Sequence, residues 1–275
     1  MKGQMPNDKL ILLPQNLHNL TRMAQSNIRL ADISTEAPKG WKEGDTEKQT
    51  KHLVKRLGDL QQRLYADHKH AVLVVLQGMD GSGKDGAVHK VFDACRITGL
   101  TFTAFKKPTE EEFAHDFLWR IHKVAPQKGM IAIFNRSHYE DILIQRVHGW
   151  IDEVRVEQRM QAINAFEELL QTDNNTHIFK FYLHISKKEQ EKQLLQRMED
   201  PEKFWKHNPG DWKEREHWDA YMAAYEYALN NSAVPWHICP VDDRWYRDYF
   251  IAKTLVEGLE KIPFSLPPAA PTLPQ

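Results

Sequence analysis

An unbroken run of apolar residues, Ala71 to Leu76, is too short for a helix and is followed by Gly78, Gly81 and Gly83. Such a run predicts a strand covered on both faces, as in a parallel sheet. After the glycines, Val88, Val91 and Phe92 lie on one face of a helical pattern, and upstream Leu53, Leu57, Leu60 and Leu64 predict a helix over 47–66. TFTAF at 101–105 and MIAIF at 130–134 predict a second and third strand, HIFKFYLHI at 177–185 and WHICPV at 236–241 a fourth and fifth. Thr109 with Glu112 forms a capping-box pattern, opening a helix whose buried stripe would be Phe113, Phe117, Ile121 and Val124. A long amphipathic helix is expected over 153–171. From Ser186, capped with Glu189, to about residue 230 the pattern is helical and charged, broken at Asp200-Pro201 and Asn208-Pro209-Gly210. Asp211 with Glu214 repeats the cap signal in acidic form, and 244–262 reads as a closing helix. Strands alternating with helices predict an α/β fold: a parallel sheet with helices on both faces and ligands at the strands' C-terminal edge.

Residues 1–47 have no period, being broken by Pro6, Pro14, Pro38, Gly40 and Gly44, and read as an arm wrapping a single domain over 48–262. The end, 263–275, is a Pro-rich tail expected to be extended. With 41% hydrophobic and 27% charged residues among 275, the chain reads as soluble and globular. Its net charge of −1 gives no global attraction for nucleic acid or acidic membranes. A polyanion must therefore be gripped by locally sorted charge. Two cysteines, Cys95 and Cys239, imply neither a disulfide framework nor a Cys-based zinc site and read as buried structural residues. No apolar run approaches the roughly 18 residues of a membrane span, and no signal-peptide core opens the chain, so the cytoplasm is expected.

Candidate chemistry gathers at the sheet edge. Strand, glycine loop, Lys84 and helix, in that order, are the context of a phosphate-binding loop, and Gly78, Gly83 and Lys84 match the G-x-x-x-x-G-K spacing. Glycines let N–H groups converge on phosphate oxygens, the helix start adds its dipole, and Lys84 adds a mobile charge. Asp85 stands where a Ser or Thr usually holds Mg²⁺, and Asp80 brings a carboxylate into the loop. After the third strand, Asn135 and Arg136 are placed to meet a phosphoryl group, unless Arg136 only pairs with Glu140 or Asp141. Glu140 and Asp141 would hold Mg²⁺ or contact an acceptor; a solvated helix start is the plainer reading. The helical excursion of about 186–215 reads as a lid, or as a charged surface helix pair. Eight Lys or Arg and eight Asp or Glu between Lys187 and Glu216 mean that any positive face must be made by folding. Trp205, Trp212 and Trp218 read as packing residues, and His138 as structural before catalytic. No Asn-Lys-x-Asp motif appears, and positioning with charge suits a transferase.

GMDGSGKDG (78–86), FKKPTEEE (105–112), FLWRIH (117–122), IFNRSHYEDIL (133–143), HISKKEQEKQLLQR (184–197), DPEKFWKHNPGDWKER (200–215) and VPWHICPVDDRWYR (234–247) together resemble the polyphosphate kinase 2 family. The resemblance covers about residues 50–262. It implies a three-layer α/β/α phosphate-loop kinase fold similar to thymidylate kinase, with a helical lid. It also implies transfer of the terminal phosphoryl group of inorganic polyphosphate to nucleoside mono- or diphosphates, with Mg²⁺ or its substitute Mn²⁺. On that resemblance Asp80, Lys84, Arg136 and Arg197 would be catalytic. Gly78, Gly81, Ser82, Gly83, Lys84, Asp85, Lys106, Lys187, Lys188, Lys203, Lys206 and Arg215 would bind phosphate. Asn135, Arg136, Glu140 and Asp141 would meet the nucleotide, and Asp80, Glu140 and Asp141 the metal. Asn135, where many members have Asp, with its Ser-His-Tyr-Glu-Asp continuation, resembles the subgroup accepting both AMP and ADP, with ATP the product of the second step. Asp85 is the family's own pattern. Partners would be polyphosphate, nucleotides and further copies of the chain. An ATP-dependent nucleoside monophosphate kinase and a non-catalytic phosphate-binding module remain the alternatives at this point.

Overall fold

The computed structural model describes residues 27–267, so part of the arm (1–26) and most of the Pro-rich tail (268–275) lie outside the described residues. The described part of the arm lies against the domain. The Ile28 and Leu30 amides donate to Asn230 and Glu226, and the Ala37 amide donates to Asp243. Helix α1 spans Glu43–Asp67, starting four residues before the expected start at 47. Gly44, which reads as a breaker, falls in the first turn, where Glu43 and Asp45 favour the positive end of the dipole.

Strand β1 (Ala71–Gln77) is buried along its whole length. It leads through the glycine loop into α2 (Lys84–Val91), then β2 (Leu100–Ala104), which lies at one edge of the sheet and is largely exposed. The helix expected from Thr109 is instead two single turns, α3 (Glu110–Phe113) and α4 (Trp119–His122). The Thr109–Glu112 capping box forms, but Asp116 accepts from the Leu118 amide and starts a new turn, leaving Phe113 exposed while Ile121 is buried. Gly129, at φ +85°, opens β3 (Ile131–Asn135). Then follow α5 (Glu140–Val147), α6 (Glu153–Asn174) and β4 (Thr176–His184). The excursion is α7 (Lys187–Glu199), a 3₁₀ stretch over Pro201–Lys206, and α8 (Pro209–Glu216). Asn208, not Asp211, caps α8. Finally come α9 (Trp218–Asn231), β5 (Trp236–Pro240) and α10 (Arg244–Leu259).

All five strands are parallel, in the order β2-β3-β1-β4-β5. On β4, the Phe179 ring meets Gly258 of α10, while the next residue, Lys180, meets Glu167 of α6. The helical layers therefore lie on opposite faces, giving three layers α/β/α. The order in which strands are added reverses between β1 and β3, since β1 leads to β2 at one edge and β3 leads to β4 on the other side. The register there sets Leu76 beside Asn135. The glycine loop and Arg136 thus leave the sheet side by side, at the crevice where open α/β sheets bind ligands.

Candidate functional site

Gly81 and Gly83 hold φ values of +86° and +83°, which glycine adopts without strain. At Gly83 a Cβ would also strike the guanidinium of Arg247, whose Nη1 donates to the Gly83 carbonyl at 3.1 Å. Lys84 is buried and donates to the carbonyls of Gly78 (2.8 Å) and Met79 (3.1 Å). Burial, then the neighbouring Arg136, lowers its ammonium to about 8 against the pull of Asp80, Glu140 and Asp85.

Arg136 has φ +63°, a conformation costing a non-glycine residue roughly 1–3 kcal/mol. Its amide donates to the Leu76 carbonyl, Nη2 to Asp80 Oδ1 at 2.5 Å and Nη1 to Glu140 Oε2 at 3.1 Å. Burial works against the Asp80 carboxylate, but Arg136 and Lys84 hold it below the usual range. Glu140 raises Arg136 well above its ordinary value. Glu140 also accepts from Gln77, and Asn135 donates to Asp85.

Between the glycine loop and the excursion lies a cavity of about 430 Å³. Lys84, Lys106 and Arg136 line it from the sheet side, and Arg197, Lys203 and Lys206 from the excursion. Arg244 enters from the start of α10 and donates to Gln193 of α7. Asp80 and Asp85 are the carboxylates among the lining residues. Arg197 donates to Asp211 Oδ2 at 2.6 Å, and Gln190 reaches the Asp80 carbonyl at 3.0 Å, so the excursion touches the loop directly.

Several expected residues stand elsewhere. Asp141 turns inward, against Arg120 (3.5 Å) and Gln145 (2.6 Å). Lys187 and Lys188 are exposed at the start of α7, outside the cavity lining. Arg215 braces the excursion internally, on the Lys187 carbonyl, Gln190 and Glu191. Ser82 is buried beneath the loop. His138 is fully buried, as is Cys239, while Cys95 is half-buried. Trp218 packs in the core, whereas Trp205 is 77% exposed beside the cavity. Arg244 and Arg247 escape the sequence reading as site residues, although they follow the last strand at its C-terminal end, where the edge rule points.

For a metal, Asp80, Asp85, Asn135 and Glu140 present oxygen donors at this edge. Among the described residues, no three His, Cys, Asp or Glu side chains form a ready-made cage. An all-oxygen set with few protein ligands fits a hard divalent cation that shares its shell with phosphates and water.

The sequence profile of the family described as Polyphosphate kinase 2 matches residues 40–264. An AMP/ADP-polyphosphate phosphotransferase of Meiothermus ruber is 44% identical over 218 residues, 78% of this chain and 81% of the relative. An ADP-polyphosphate phosphotransferase of Rhodopseudomonas palustris is 40% identical over 233 residues, 79% and 80% of the two chains. The crystal structure of polyphosphate kinase 2 from Arthrobacter aurescens superimposes with a TM-score of 0.86 at 41% identity, covering 91% of each chain. Among the described residues no helix is long and apolar enough to cross a membrane.

Proposed function

The chain belongs to the polyphosphate kinase 2 family, and from that membership we propose that it transfers the terminal phosphoryl group of inorganic polyphosphate to AMP and to ADP, reversibly and with Mg²⁺. The observation that carries this reading is the sorting of charge. Seven cationic side chains against two carboxylates line one cleft of a chain whose net charge is −1. Such a cleft suits two anions meeting end to end. The acceptor range follows the Meiothermus ruber relative, whose name gives both AMP and ADP.

In this reading the loop amides and the first turn of α2 take the donor's terminal phosphates. Lys84 leaves the Gly78 and Met79 carbonyls and places its charge on the phosphoryl in flight. Arg136 turns from Asp80 and Glu140 to clamp the same group with its planar fork. Arg197 joins from the excursion, which acts as the lid; its closure excludes water, so the nucleotide and not water is the acceptor. Lys203 and Lys206 guide the polymer. Asp80 and Glu140 would hold Mg²⁺, whose chemistry when bound is to neutralise charge between donor and acceptor phosphates. Assembly as a homo-oligomer belongs to the same reading, and light scattering on the purified chain checks it.

The deciding experiment incubates the protein with AMP, Mg²⁺ and long-chain polyphosphate without ATP and separates the nucleotides. ADP followed by ATP is expected. Phosphorylation of AMP only when ATP is supplied would make the protein an ordinary nucleotide kinase. Polyphosphate binding with no transfer would make it a binding module.

A further inference from the structure

Lys180 lies in the interior of β4 between Val75 of β1 and Trp236 of β5, with no exposure. An apolar side chain would fill that position, and replacing a buried ion pair with packed apolar residues is often neutral or stabilising. Yet Lys180 Nζ donates to Glu167 Oε2 and to the Tyr139 hydroxyl, both at 2.6 Å. The other oxygen of Glu167 takes His138 Nε2 at 3.2 Å and the Tyr139 hydroxyl at 3.0 Å. All four side chains are fully buried, and none faces the cleft. Burial opposes both charges, and Lys180 and His138 still hold Glu167 below the usual carboxylate range.

What these bonds grip is the chain just past Arg136. Residues 136–140 are each tied down: Arg136 to Asp80, Ser137 to Gln77, His138 and Tyr139 to Glu167, and Glu140 to Gln77. Arg136, in the left-handed region, opens this tied turn, and its guanidinium lines the cleft. We infer that the buried Lys180–Glu167 pair, through His138 and Tyr139, is a positioning unit that aims Arg136 at the transferring phosphoryl group. This rests on the role given to Arg136 above.

The test is a double-mutant cycle on the full chain. Glu167→Gln with Lys180→Met removes both charges together, so neither is stranded. Turnover should fall by about thirtyfold or more, with the nucleotide KM within about threefold and the melting temperature little changed. In the Arg136→Ala background the same pair of substitutions should cost less than about twofold, because both act on one group. Should the paired variant not fold, Tyr139→Phe keeps the ring and drops only the hydroxyl. A several-fold loss is expected from it in the wild-type background and none beside Arg136→Ala. Losses that add fully to that of Arg136→Ala, or unchanged turnover, would overturn the inference while leaving the site reading standing. An Arg136→Ala protein as active as wild type would overturn both.

Discussion

Lys84 donates to two carbonyls of its own loop, so its charge is held inside the protein until an anion replaces them. With its ammonium lowered to about 8, it is about half charged at pH 8 in the empty loop and fully charged against a polyphosphate. Binding at that pH should take up protons, and affinity should fall as pH rises further; calorimetry in two buffers of different ionisation enthalpy reads this. Identical heats in both buffers would refute it. Lys84→Ala should remove the effect and cost roughly 3 kcal/mol or more of transition-state stabilisation. The adjacent carboxylates Glu140 and Asp141 look like one acidic unit in the sequence, but successive helical residues point about 100° apart. Glu140 faces Arg136, and Asp141 faces Arg120 inside. Glu140→Gln should therefore change the ratio of AMP to ADP turnover by more than about tenfold, ~1.4 kcal/mol, and Asp141→Asn should leave it alone. Burial pushes Asp141 up to about 6 although Arg120 and Arg159 pull it down. Its share of stability is present below the usual carboxylate range and is lost as pH rises through about 6. Melting curves of wild type and Asp141→Asn should differ in slope across that window, and parallel curves would contradict the placement.

The elements read most directly from sequence are those whose pattern is set by burial alone. β1, β3, β4 and α6 fall within a few residues of expectation because each is covered by the sheet or its helical layers. The stretch after Thr109 fails for a local reason, since the Asp116 side chain competes with the helix for the Leu118 amide. The loop was legible because its glycines and lysine are contiguous; the lid's contribution was not, because its charges balance until folding sorts them. Lys203, Lys206 and Arg197 face the cleft, whereas Lys187 and Lys188 do not line it and Arg215 is tied within the lid. Arg197→Ala should therefore raise the polyphosphate KM and flatten its dependence on salt, since fewer counterions are released on binding. Lys188→Ala should do neither. Equal effects from the two would mean that the lid grips the polymer along its outer face.

At the scale of the molecule, α10 joins the structural and chemical halves. It packs on α1 and α2, and from it Arg247 reaches the Gly83 carbonyl while bonding Asp248 through Nε and Nη2. Arg247→Met would leave Asp248, already pushed up by burial, without its cation, costing about 3 kcal/mol in a denaturant titration. Adding Asp248→Leu should restore stability but not the polyphosphate KM; recovery of both would show that Arg247 serves packing alone. The cleft's seven cations and two carboxylates leave a net of plus five there, so the rest of a chain of net charge −1 carries minus six. A net negative remainder would turn a polyanion away from the rest of the protein, so that in the proposed reaction a polymer would be gripped over a few units and left bare elsewhere. Several protein molecules can then work on one strand without neutralising it. Enzyme and polymer should then stay dissolved together, where a uniformly basic protein of this size would draw the polymer into a dense, separate phase.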